Sequence, residues 1–300
     1  MNGGLPARCV VGYNGDRPSR DALRLAAAMA RTSGAELEIV LVLRADSPHQ
    51  QVYPPVGDIG PVVRQQARTW LEDAERLVPE GVVARTHLRE DDSAAAGLAR
   101  TAGELGAQLI VVGAGTGAGR FSAGPVVDAL LHSSPVPVAL APRRYPGDVP
   151  LTRLSVAVGT RPGAHQVIRE AVRAVEHSEL ELELELISFL EGGAADPGTA
   201  EQVRRRVEEH LGAAADEAGR TRPVTVRVAS GRTLKKAAQD VDWAPGGLLL
   251  IGSSRLAQGR QIFLGTTAAR LLKHIPVPMV VVPRPAPDAD QAQTEKEAAS

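Results

Sequence analysis

Two stretches of this 300-residue sequence place glycines and hydroxyls where an anion could be held. The clearer one reads Gly252-Ser253-Ser254-Arg255, then nine residues, then Gly265-Thr266-Thr267, which opens a helical run through Ala269, Leu271, Leu272 and Ile275. Glycine and hydroxyl residues at a helix start supply free backbone N–H groups, two Oγ atoms and the positive end of the dipole, the makings of a phosphate cradle. Plain capping of that helix by Thr266 or Thr267 is the competing reading. The second stretch, Gly113-Ala114-Gly115-Thr116-Gly117-Ala118-Gly119-Arg120, leads to Gly124-Pro125. Proline suits a first helical turn but removes one N–H donor, and no hydroxyl adjoins Gly124, so this is the weaker anion site.

Other chemistry finds less support. Gly113-Ala114-Gly115-Thr116-Gly117-Ala118 fits the loose dinucleotide pattern, but no acidic residue follows ~20 positions on. No Gly-Lys pair occurs, which excludes a P-loop. His49, His87, His132, His165, His177, His210 and His274 show no paired metal-ligand spacing; His132 and His274 fall near the ends of equivalent helices, where a structural role is expected. No G-x-S-x-G elbow exists, and Ser230 reads as the cap of a helix beginning near Arg232. Glu90-Asp91-Asp92 precede a helix whose N-terminus they would stabilise. Arg204-Arg205-Arg206, interleaved with Glu201, Glu208 and Glu209, reads as a solvated helix face with ion pairs. No catalytic residue and no metal site is assigned.

These residues need elements to position them, and the chain supplies short β-branched runs alternating with stretches of helical period, the pattern of a parallel α/β sheet. The predicted strands of the first half are 9–13, 37–43, 82–88, 109–113 and 136–141, with a helix over 19–32 that stops near Gly34. Those of the second half are 154–158, 182–189, 224–228, 248–252 and 277–282. Glu179-Leu180-Glu181-Leu182-Glu183-Leu184-Glu185-Leu186 alternates strictly, whereas a strand covered on both faces should be continuously apolar. Either one face is partly wet or the strand begins only near Leu184.

The two halves repeat one another. Leu109-Ile110-Val111-Val112-Gly113 matches Leu248-Leu249-Leu250-Ile251-Gly252, and Pro135-Val136-Pro137-Val138-Ala139-Leu140-Ala141-Pro142-Arg143 matches Pro276-Val277-Pro278-Met279-Val280-Val281-Val282-Pro283-Arg284. The organisation expected is a flexible N-terminus at 1–7, one domain at 8–143, a linker at 144–152, a second domain at 153–284 and a disordered tail at 285–300.

Both halves resemble domains of the universal stress protein family. Its nucleotide-binding members share a fourth-strand glycine, two residues, a second glycine, nine residues, then glycine with serine or threonine; an aspartate ending the first strand holds the adenosine. The resemblance implies two flavodoxin-like (Rossmann-like) domains, each a five-stranded parallel sheet of order 3-2-1-4-5 with helices on both faces, joined through their fifth strands as an intramolecular pseudo-dimer. It implies a non-catalytic stress-response protein with an adenine nucleotide, ATP foremost, as ligand. The site residues carried over are Asn14, Gly113, Gly115 and Gly124 in the first half, and Gly252, Arg255, Gly265, Thr266 and Thr267 in the second. Both sets depart from the pattern. Asn14 stands for the aspartate, and the first loop is two residues short. In the second half Gly159-Thr160 lacks the aspartate, while Arg255 replaces a glycine and either pairs with phosphate or fills its space. The alternatives are an interaction module without nucleotide and, further off, a nucleotide-hydrolysing enzyme.

Composition narrows the partners. Lys and Arg number 34 against 35 Asp and Glu, a net charge of -1, so no basic field exists to hold nucleic acid or an anionic membrane. Eight aromatics leave little to stack on bases. One cysteine, Cys9, fits a reducing compartment, and no apolar run nears the ~18 residues of a membrane span. A cytoplasmic protein with an unidentified protein partner, and room for a homodimer, is the expectation.

Overall fold

The structure, a computed structural model, describes residues 7–44, 60–114, 124–158, 167–168, 171–172, 181–192, 201, 205, 208–209, 212, 223–253, 262 and 264–283. In the first half strands β1 (Arg8–Gly12), β2 (Glu36–Arg44), β3 (Ala84–Asp91), β4 (Leu109–Gly113) and β5 (Val138–Ala141) alternate with helices α1 (Arg17–Ser33), α2 (Gly60–Leu77), α3 (Ala94–Leu105) and α4 (Pro125–Ser133). The second half carries β6 (Arg153–Ala157), β7 (Glu183–Glu191), β8 (Val224–Gly231), β9 (Gly247–Gly252) and β10 (Met279–Val282), with α5 (Leu234–Gln239) and α6 (Thr266–Leu272).

All ten strands form one sheet in the order β3-β2-β1-β4-β5-β10-β9-β6-β7-β8. Numbered within its own half, each set reads 3-2-1-4-5, and every pairing is parallel except one. That one joins the halves: β5 and β10 run antiparallel, with Leu140 opposite Met279, Ala139 opposite Val280 and Val138 opposite Val281. Every residue of these two strands is buried, so each half covers the apolar edge the other would expose. The antiparallel junction also turns the strand ends of the two halves to opposite edges of the sheet.

Two apolar layers flank the sheet and both run through both halves. One holds Val11, Leu37 and Ile39 under α1 and α2 and Leu154, Leu186 and Leu250 with Ile168 and Ala171 in the second half, and the other holds Val10, Val40, Ile110, Ile187, Leu249 and Val281 with residues of α3 to α6. α1 shows how the chain stops and starts these elements. Asp16 accepts the Ser19 N–H at 2.8 Å, Pro18 sits in the first turn, and Gly34 at φ 67° closes the far end onto the Ala30 carbonyl at 2.8 Å. Cys9, 4% exposed, lies inside this core, and burial pushes its thiol up to about 12.

The alternating strand is settled by one side chain. β7 begins at Glu183, and Glu185 is 3% exposed, accepting from Ser155 Oγ at 2.7 Å and Arg227 Nε at 2.6 Å. The glutamate on the covered face is therefore buried and paired rather than wet. Its equivalent in β2, Glu38, is 2% exposed beside Arg8, Arg85 and His87, whose Nε2 lies 2.6 Å away. Arg8–Glu36 and Arg153–Glu183 repeat the same way at the strand starts. This polar pair of repeats escaped the apolar matching that revealed the others.

One expected helix start is corrected and one is filled in. Ser230 lies within β8, and Thr233 caps α5, its hydroxyl taking the Lys236 N–H at 3.3 Å. Ser93 rather than the acidic triplet caps α3, accepting from Ala96 N–H at 3.1 Å. Glu90 pairs with Arg64 at 2.9 Å and Asp91 with Arg100 at 3.1 Å, both still within β3, which ends at Asp91. Arg205 pairs with Glu201 at 3.4 Å with both side chains exposed, the solvated arrangement expected. The stretch between the halves is fastened to α1: Asp21 accepts the Arg144 N–H at 2.8 Å, Arg31 donates to the Gly147 carbonyl at 2.7 Å, and Tyr145 is buried.

Candidate functional site

Of the nine expected site residues, Gly115 and Arg255 lie outside the described residues, as does the Gly159-Thr160 turn. The other seven fall into two groups on opposite edges of the sheet. Asn14, Gly113 and Gly124 stand at the carboxyl ends of β1–β5, and Gly252, Gly265, Thr266 and Thr267 at those of β6–β10. Two separate sites result, one for each half.

In the first half the turn after β1 is closed on itself. Asn14 Nδ2 donates to Asp16 Oδ2 at 3.0 Å, and Asn14 Oδ1 accepts the Asp16 N–H at 3.1 Å. Gly15 holds φ 78°, and a Cβ there would strike the ring of Trp70, a half-exposed side chain reaching up from α2. Asn14 thus keeps one amide proton for a ligand. Gly113 has a packing role: a Cβ would drive into the carbonyl oxygen of Pro18, so α1 starts directly against the end of β4. Gly124 is the N-cap of α4 with no side-chain hydrogen bond, followed by Pro125, and Asp128 brings a carboxylate into the first turn. A phosphate here meets one fewer N–H and a negative charge. His132 Nδ1 lies 2.7 Å from the Asp128 carbonyl oxygen, to which it donates, the structural use expected of it.

The second half differs at its helix start. Gly265 is the N-cap of α6, and among the described residues no side chain caps its first N–H groups. Thr266 and Thr267 therefore occupy the first turn instead of capping it, with both side chains exposed and no acidic residue beside them. A Cβ on Gly252 would meet Val167 Cγ2 at 2.6 Å, so this glycine too accommodates its own half's first helix. Nearby, Arg270 of α6 pairs through two nitrogens with Glu191 at the end of β7, and Glu191 also accepts the Leu234 N–H at 3.3 Å. The Arg270 hydrogen bond, then that N–H, hold the Glu191 carboxyl below its usual range.

Comparison with known proteins supplies the family and the fold. The sequence model described as the universal stress protein family fits residues 7–142 and again 151–283. The chain belongs to the universal stress protein family. A universal stress protein of Mycobacterium tuberculosis is 28% identical over 290 residues, spanning 91% of this chain and 99% of its own, and one of Mycobacterium bovis matches to the same extent. The crystal structure of a universal stress protein from Archaeoglobus fulgidus shares the fold, with a TM-score of 0.66 over 92% of this chain and 98% of its own at 18% identity. This is accordingly a tandem universal stress protein, two family domains in one chain.

Some contributors to these edges were not legible beforehand. Asp16 has a local signal, an acidic residue two places before Pro18, the form of an N-cap. Trp70 has none, since only the packing of α2 beside α1 brings its ring to Gly15. Among the described residues no helix is long and apolar enough to cross a membrane, and no three His, Cys, Asp or Glu side chains are grouped to hold a metal ion.

His274, just past α6, gives this edge a pH signature. Burial first, then Lys235, Lys273 and Arg270, hold its pKa below the ordinary histidine value. The unfolded chain therefore takes up a proton, near pH 6.5, that the folded chain resists. Stability is expected to be unaffected by this group above that pH and to fall as pH drops below it. His274→Gln should flatten the slope of urea midpoint against pH between about 7 and 5; an unchanged slope would assign it to other groups.

Proposed function

We propose that this tandem universal stress protein is a non-catalytic stress-response protein whose second half takes an adenine nucleotide, ATP foremost, at the start of α6. What carries the reading is the open first turn of α6, with Gly265 as N-cap and the Thr266 and Thr267 hydroxyls exposed beside it. Arg255 in the preceding loop either grips or displaces the phosphate. The first half is the poorer host, with Pro125, Asp128 and an Asn14 already turned onto Asp16. Binding without chemistry is favoured by three edge carboxylates being committed elsewhere, Asp16 to the start of α1, Asp91 to Arg100 and Glu191 to Arg270. A cytoplasmic location follows from the composition argument.

A second reading, an interaction module without nucleotide, is favoured by Gly113 and Gly252. Gly113 is required by the start of α1 and Gly252 gives room to Val167, so neither needs a phosphate to account for it.

Thermal melting with ATP, ADP and cyclic AMP separates the two. A nucleotide at 100 times its dissociation constant adds about 2.7 kcal/mol and raises the melting temperature. Gly265→Trp should abolish the rise and Asn14→Ala should leave most of it. Absence of a shift at millimolar levels of all three would leave the interaction module; equal loss in both variants would mean the site lies elsewhere. Trp70 and Trp243, the latter stacked on Phe189 with centroids 6.4 Å apart, report fluorescence from the first and second halves respectively.

A further inference from the structure

The approach to α6 is held by the opposite half. Ile262 N–H donates to the Ser134 carbonyl oxygen at 2.9 Å and Leu264 N–H to the Leu131 carbonyl oxygen at 3.0 Å. Both acceptors sit at the carboxyl end of α4, where helix carbonyls lack partners of their own. Leu131 in particular would look to residue 135 for a donor, and Pro135 has no N–H. The Ile262 side chain is 0% exposed, in the layer that contains Leu130, Leu131 and Val138 of the first half with Ala268 and Leu271 of the second. The antiparallel β5–β10 junction makes this contact geometrically available, because it lays the carboxyl edge of the second half beside the amino edge of the first. Ile262 and Leu264 thus take their hydrogen-bond acceptors from the first half, and Ile262 is buried in an apolar layer that both halves share.

We propose that the start of α6 and the end of α4 form one coupled unit, so that occupancy at Gly265–Thr267 is transmitted to α4 and β5 of the first half. Reciprocity requires that a change at the end of α4 alter the affinity at α6 by the same factor. The ligand in this statement rests on the nucleotide reading above; the coupling rests only on the Ile262 and Leu264 contacts.

Hydrogen exchange of the full chain, read by mass spectrometry, tests the coupling without any ligand. In Ile262→Ala, which removes the seat, and in Leu264→Pro, which removes a donor, amides of 127–138 and of 265–272 should both exchange roughly tenfold faster or more, while 36–44 and 84–91 keep their rates. Faster exchange confined to 262–272, with 127–138 as in the unmodified protein, overturns the proposal. Ile262→Val serves if the harsher changes prevent folding: a smaller increase in the same two segments is expected, and the same confinement overturns it. Millimolar ATP is the second arm. Slowing at 265–272 and 127–138 together supports transmission, whereas slowing at 265–272 alone overturns it and leaves nucleotide binding standing. No change anywhere with ATP overturns the nucleotide reading, and the coupling is then decided by the variants.

Discussion

Gly113→Ala should lower stability by about 3 kcal/mol or more, a larger loss than the equivalent Gly252→Ala, although both residues end the fourth strand of their halves. At Gly113 the added methyl runs into the Pro18 carbonyl, which is backbone at the start of α1. Relief requires moving α1, and α1 is pinned by its Asp16 cap, its Gly34 end and the Asp21 contact to Arg144. At Gly252 the methyl meets one Val167 Cγ2 at 2.6 Å, and a side-chain adjustment relieves most of it, for about 1 kcal/mol. Urea unfolding of both variants, followed by far-UV circular dichroism, checks the ranking. Equal midpoints would mean that α1 is not seated on β4 as described. The loss in Gly113→Ala is a packing effect, so it should occur with and without ATP.

The second large effect is expected at Glu38. Glu38→Ala removes the shared partner of Arg8, Arg85 and His87 and leaves the Arg8 and His87 nitrogens facing a buried vacancy. Arg85 is half-exposed and keeps Glu36, so the loss falls on Arg8 and His87, 29% and 18% exposed, and is about 3 kcal/mol for the buried polar groups left unpaired. The position of Arg8 aggravates this, since its Nε is buried without a hydrogen-bond partner even when Glu38 is present. Glu185→Ala in the second half should cost less. Arg227 has 40% of its side chain exposed and can turn to water, leaving mainly Ser155 unsatisfied. Urea midpoints of the two alanine variants test this; a Glu185 loss equal to or above that at Glu38 would refute the argument from access to water.

How much of this was legible beforehand differs from element to element. Strands β4 and β9 were placed to within a residue, because Leu-Ile-Val-Val-Gly and Leu-Leu-Leu-Ile-Gly are uninterrupted apolar runs and a strand covered on both faces requires one. The end of α1 at Gly34 was equally legible, since a left-handed cap is a local demand that glycine meets. Ser230 misled because a serine near a helix start is a good cap in isolation. The competing strand β8 claimed it, and Thr233, three residues on, took the role. The pairing of Glu90 with Arg64 and of Asp91 with Arg100 had no local signal, since only packing of α2 and α3 brings those arginines to them.

Residue order alone carried the doubling of the fold, the alternation of strands and helices and the family likeness, because hydrophobic period and turn chemistry act between near neighbours. It also singled out the glycines and threonines of both edges. Their roles were a matter for the folded chain. That Gly113 yields space to a carbonyl, that Asn14 turns onto Asp16, that Glu185 is buried yet paired, and that Ile262 donates to the other half each depend on groups brought together from distant parts of the chain or on which of several local hydrogen bonds wins. The antiparallel meeting of β5 and β10 sets the largest of these distances, turning two similar edges away from each other and placing the loop of one against the helix of the other.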